Sequence, residues 1–122
     1  MKARAHLAPQ LHAAYRRRRT ELLGVLVEPI LVETEEMFYA DSLVWRRQYE
    51  AKPTAENKSK CEFHLDNLRK LHSGWELNHP GLKDLIEQIG NIREALFIVE
   101  HGTSDDVRRL MADAKAYGWG ST

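Results

Sequence analysis

The 122-residue sequence contains little cysteine and no long apolar run. Its only cysteine, Cys61, excludes an internal disulfide and is typical of a reducing compartment. No segment approaches the roughly 18 consecutive apolar residues that cross a bilayer. The first residues also lack the continuous apolar segment of a secretory signal. These absences predict a cytoplasmic protein that does not enter a membrane.

Motifs for catalysis and for cofactor binding are also missing. The serines lie in no nucleophile elbow, and the glycines form no phosphate-binding loop. Cys61 and His64 are one helical turn apart, a spacing that suits two metal ligands, but His72 and His79 lie farther along the chain. The sequence therefore predicts no enzyme, no cofactor and no metal. A His/Cys metal-binding protein is the least favoured alternative.

The composition is that of a folded globular chain. Hydrophobic residues make up 43% and charged residues 30%, with a net charge of zero at pH 7. The charges are unevenly placed, because residues 1–20 contain only basic charged side chains and residues 21–44 contain only acidic ones. A neutral chain lacks the basic field of indiscriminate nucleic-acid binding. The uneven pattern predicts a basic first segment beside an acidic second one.

The most regular stretch is 81–102. Apolar residues recur there at steps of three and four, the spacing that places them on one helix face. Residues 95–99 are apolar on every side, which predicts a helix end covered all round. The pattern predicts a helix over 80–101 that begins at Pro80 and ends at a left-handed Gly102.

Four further helices are predicted, over 9–27, 29–50, 55–72 and 104–117. Thr54 is a predicted N-cap, and Thr103 with the acids that follow it forms the strongest predicted cap in the chain. A pair of short strands over 22–33 is the competing interpretation, since valine, leucine and isoleucine dominate there. The predicted fold is an all-α, single-domain bundle of four to five helices covering residues 1–122.

A run of four arginines is the most visible local feature. Residues in a helix turn about 100° each, so Arg16, Arg17 and Arg19 point outward or sideways while Arg18 falls on the apolar side. The run is either an anion-binding surface or a set of solvated side chains facing the acidic second helix.

Arg18 and Asp41 are predicted to form a buried structural pair. The inner face of the second helix is predicted to carry Ile30, Thr34, Met37 or Phe38, Asp41, Val44 or Trp45, and Gln48. If helices one and two form an antiparallel hairpin, Arg18 and Asp41 come to similar levels on the inward side. A buried charge needs a partner, so each would satisfy the other.

Large aromatic residues remain as candidates for partner binding. Trp119 lies between two glycines near the end of the sequence, and it either folds back over Phe97 or is left for a partner to bury. Phe97 lies in the apolar end of the central helix, which is covered either by the other helices or by a second subunit. With Arg16, Arg17 and Arg19 they are the predicted partner-binding residues. The sequence favours a protein that binds another protein, or a second copy of itself, as an adaptor, assembly factor or inhibitor. A nucleic-acid-associated dimer that uses the arginine run is the alternative.

Overall fold

A computed structural model describes residues 2–119 and contains five α-helices and no strand within that range. The predicted all-α class is confirmed, and the strand pair over 22–33 is wrong because both of its halves are helical. None of the helices in the described range is long and apolar enough to cross a membrane. The helices are α1 (Lys2–Leu26), α2 (Pro29–Ala51), α3 (Ala55–Asn78), α4 (Leu82–His101) and α5 (Ser104–Tyr117).

Two helices are longer than predicted. α1 begins well before Pro9, which lies inside the helix although it has no N–H for the backbone bond to residue 5. Leu7 and Leu11 are fully buried one turn apart, and this packing holds the early turns. α3 continues through Ser73 and Gly74, because the row of Cys61, Leu68 and Trp75 stays buried on its inner face.

The described chain divides into two compact units, while the expectation of one domain over 1–122 stays a prediction. The first unit comprises Met1–Glu21 and Asp84–Thr122, and the second comprises Leu22–Lys83. In the first unit, apolar residues from α1, α4 and α5 form one core. The apolar end of α4 is covered as predicted, since residues 95–99 are buried or half-buried. The buried core residues are Leu7, Leu11, Ala14, Ile92, Ala95, Val99, Val107, Leu110, Ala114 and Trp119.

The second unit is built on a helical hairpin of α2 and α3, joined by residues 52–54. Thr54 begins α3 as predicted, because its side-chain oxygen accepts a hydrogen bond from the backbone N–H of Asn57 at 3.1 Å. The side chain of Asn57 in turn donates to the carbonyl of Lys52 at 3.0 Å. These bonds satisfy backbone groups that the helix ends would otherwise leave without partners.

The start of α5 and the ends of α4 and α5 are fixed by different local interactions. Thr103 and Asp106 form the predicted capping box at the start of α5, and the backbone and side-chain bonds from Thr103 hold the pKa of the Asp106 carboxyl below its usual range. Gly118 takes the left-handed conformation that ends α5. Gly102 was predicted to be left-handed, and this is wrong. Among the described residues, Gly118 is the glycine with a positive φ. A Cβ on Gly102 would lie 2.6 Å from the Ile98 carbonyl oxygen, so close approach requires glycine there.

Candidate interaction surface

Three large apolar side chains lie in one row on the outside of α2. Ile30, Met37 and Val44 are spaced by seven residues and are 60%, 65% and 55% exposed. Seven residues make almost two helical turns, so the three side chains point in nearly the same direction. They form a row about 21 Å long at 1.5 Å per residue. We call these three residues the α2 row.

The α2 row faces away from the hairpin. Val32, Glu35 and Ser42 are the buried residues of α2, and they lie about half a turn around the helix from Ile30, Met37 and Val44. The predicted inner face of α2 is therefore wrong at Ile30, Met37, Asp41, Val44 and Gln48, which are exposed, whereas Thr34, Phe38 and Trp45 are half-buried. Apolar residues occur on both sides of this helix, so the hydrophobic pattern alone does not distinguish the packed side from the open one.

The buried side of α2 carries a carboxylate instead. Glu35 is 2% exposed, and its Oε2 lies 2.7 Å from Nε2 of His72 on α3, which can donate a hydrogen bond to it. The His72 ring also lies beside the buried Trp75, with ring centroids 5.9 Å apart. A buried carboxylate is costly without such a donor, so this pair explains how Glu35 can take an inner position.

A second polar contact lies nearer the hairpin turn. The rings of Trp45 and His64 stack with an interplanar angle of 6° and a centroid distance of 6.1 Å. The ammonium group of Lys60 lies 4.6 Å from the centroid of Trp45. Trp45 thus joins α2 to α3, and it is a half-buried structural residue.

The arginine run is divided among several environments. Arg16 and Arg17 are exposed, whereas Arg19 is half-buried and already interacts within the protein. Arg18 donates to Glu21 at 3.2 Å. Only Arg16 and Arg17 therefore extend into solvent, which is a small cationic surface.

The two aromatic residues that were predicted to bind a partner are not exposed. Phe97 and Trp119 are each 8% exposed, and Trp119 belongs to the core of the first unit. Phe97 contacts the ring of His101, with centroids 4.8 Å apart. Of the two positions left open for it, Trp119 takes the inward one, because it packs against the apolar side chains of α1, α4 and α5.

The predicted burial of Asp41 is also wrong. Asp41 is exposed, and Arg18 is one-third exposed and pairs with Glu21. The physical reason to pair Arg18 with Asp41 was the cost of burying both charges, and that reason does not apply to an exposed carboxylate.

Two buried cation contacts of the first unit were not predicted. Arg93 is 6% exposed, donates to the hydroxyl of Tyr15 at 3.1 Å and lies 5.3 Å from the Tyr15 ring centroid. Arg4 donates to the carbonyls of Val99 and Gly102, and so it caps the end of α4. No local sequence signal predicts either contact, because each joins residues far apart in the chain.

Metal ligands do not converge in the part of the chain that the structure describes. No group of three or more His, Cys, Asp or Glu side chains there could hold an ion. One Glu-x-x-His sequence occurs, at Glu76 and His79, whereas carboxylate-bridged metal pairs in helical bundles use one on each of two helices. Cys61 is buried on the inner face of α3.

Comparison with known proteins adds no further assignment. Neither a protein-family model, nor a curated protein, nor a solved structure matches this chain.

Proposed function

We propose that this is a cytoplasmic protein that binds another protein through the α2 row, as an adaptor, assembly factor or inhibitor without chemistry of its own. The observation that supports the proposal is the exposure of Ile30, Met37 and Val44 in one line. Single exposed apolar residues are common on protein surfaces, but an aligned row of three large ones is typical of an interaction site.

The spacing of the row favours a helical partner. Residues seven apart lie on one line of a helix, as the residues of one heptad position do where two helices pack together. Burying a side chain such as isoleucine, methionine or valine is worth about 1.5–3 kcal/mol, so three together can supply a useful part of a binding free energy. We therefore expect the partner to supply an amphipathic helix with an apolar row of its own.

The test is capture from cell lysate with and without nuclease, washed at low and at high salt. The altered protein carries Ile30→Glu with Met37→Glu. The matched control carries Phe63→Glu with Leu77→Glu, which adds the same charge on the exposed side of α3. We expect a defined protein that survives nuclease and high salt, is lost with the α2 variant and is retained by the control.

Two results would contradict the proposal. Equal capture by the α2 variant and the unaltered protein would exclude the α2 row as the binding surface. Captured material that disappears with nuclease or high salt would favour the nucleic-acid alternative, since phosphate contacts weaken steeply with salt. Arg16→Gln with Arg17→Gln would then be the next variant, because these are the two exposed arginines of the run.

A further inference from the structure

The first unit contains an open cleft of about 350 Å³. It is lined by side chains from α1 and α4 and from the end of α5, and these residues all belong to one compact unit. Its volume is at the lower end of the range for small-molecule sites, about 300–1,000 Å³. The principal lining residues are Arg18, Gln88, Asn91, Ile92, Tyr117 and Trp119.

Arg18 supplies the charge of this cleft and has an unused donor. Its Nη1 donates to Glu21, but its Nε is buried and has no hydrogen-bond partner among the described residues. A buried N–H without an acceptor is unusual, because the group has lost its water and gained nothing in return. The Nε side of a guanidinium is one of the edges on which arginine binds a carboxylate with two hydrogen bonds.

The other lining residues restrict what the ligand can be. Gln88 and Asn91 are exposed one turn apart on α4 and offer neutral donors and acceptors. Tyr117 and Trp119 stack with an interplanar angle of 15° and a centroid distance of 4.9 Å, and the exposed Tyr117 ring, backed by the buried Trp119 and Ile92, gives the cleft an apolar wall. Arg18 is the cation of the cleft and already interacts with Glu21. It therefore suits a singly charged anion better than a phosphate dianion.

From this combination we infer that the cleft is a binding site for a small carboxylic acid with a flat apolar body. The carboxylate accepts hydrogen bonds from Arg18, whose side chain turns slightly so that Nε reaches the acceptor. The ring of the ligand lies against the aromatic wall, and the two carboxamides contact its polar edge. This site is separate from the α2 row, which lies in the other unit.

The test uses phenylacetate as the probe and its neutral amide, phenylacetamide, as the comparison. Each is titrated into the full chain while the side-chain N–H signals of Trp119, Gln88 and Asn91 are followed by NMR. We expect phenylacetate to shift these signals with a Kd of about 1 mM, a weak affinity appropriate to a ligand of this size. Phenylacetamide should bind about tenfold more weakly because it lacks the charge-assisted hydrogen bonds.

Variants of Arg18 and of its neighbour Arg17 test whether Arg18 is the residue that binds the carboxylate. Arg18→Gln should remove the preference for the acid, while Arg17→Gln should leave both titrations unchanged, because Arg17 is exposed and does not line the cleft. Arg18→Lys keeps the charge without the planar fork and provides a second variant if Arg18→Gln does not fold. Equal binding of acid and amide, or an unchanged acid titration in a folded Arg18 variant, would overturn the inference. So would the absence of shifts at the three reporter side chains.

Discussion

At the scale of single residues, Glu35 and His72 form a close polar contact between α2 and α3. Glu35 is almost completely buried, and His72 retains one-fifth of its side-chain exposure. Substituting His72 and substituting Glu35 should therefore destabilise the protein by different amounts. Removing the imidazole takes a hydrogen-bond donor away from an almost completely buried carboxylate, whereas removing the carboxylate leaves a ring that can still reach water.

We expect His72→Leu to destabilise the protein by about 3 kcal/mol, the cost of breaking a buried pair. Glu35→Leu should cost less, because no buried charge remains. The double variant should recover part of the loss, with a coupling free energy of about 1 kcal/mol or more. Urea unfolding of the four proteins, followed by circular dichroism, measures these differences. Strictly additive losses would show that the 2.7 Å contact does not couple the two residues.

Long-range pairs of this kind are what the sequence predicts least well. The sequence pattern places Arg18 and Asp41 on inward faces and so predicts a pair, but Asp41 is exposed and Arg18 pairs with Glu21, three residues along the same helix. The sequence gives no reason to place Glu35 in the interior, because a carboxylate is stable there only when it has a hydrogen-bonding partner. That partner, His72, is 37 residues away, and only the fold shows that they meet.

At the scale of helices, Val27 is the non-glycine residue with a positive φ in the part of the chain that the structure describes. It follows α1 with a φ of 67°, and its N–H donates to the carbonyl of Leu23 at 2.9 Å. This left-handed conformation is ordinary for glycine at a helix end but unfavourable for a β-branched residue. The Val27 side chain is 75% exposed, so little burial offsets the backbone cost.

Val27→Gly should therefore stabilise the protein by about 1 kcal/mol, because the left-handed conformation costs an L-residue about 1–2 kcal/mol and glycine almost nothing. Val25→Gly is the matched control: it lies in the last turn of α1, where glycine is about 0.3 kcal/mol less favourable than valine, and should destabilise slightly. Chemical denaturation of both variants measures the two changes. A loss of stability with Val27→Gly would mean that its exposed side chain contributes more than its backbone costs.

The helix starts with local caps were predicted correctly, while the lengths of α1 and α3 were not. Thr54 and Thr103 form their bonds with residues three positions away, so the whole interaction lies within a short window of sequence. Proline at position 9 and glycine at position 74 locally favour a break. Both helices continue because Leu7 and Trp75 are buried by residues distant in sequence. The prediction failed where packing outweighed local preference.

At the scale of the whole molecule, the surface combines zero net charge with an exposed apolar row. The all-α class followed from helical spacing along the chain, but the α2 row did not, because the same spacing describes a packed face and an open one. Proteins near zero net charge lack the mutual repulsion that keeps molecules apart, and apolar patches then promote association. The α2 row should therefore limit solubility at neutral pH.

We expect Met37→Glu to raise solubility at pH 7 more than Leu77→Glu does. Both changes add one negative charge at an exposed side chain, so their effect on net charge is the same. Met37 lies in the middle of the α2 row, and a carboxylate there divides it, whereas Leu77 stands apart on α3 with Lys70 between it and Phe63. The precipitation midpoint in ammonium sulfate, with light scattering at low salt, compares the two variants. Equal increases in solubility would show that net charge alone governs association. A larger increase for Met37→Glu would show that association occurs through the α2 row.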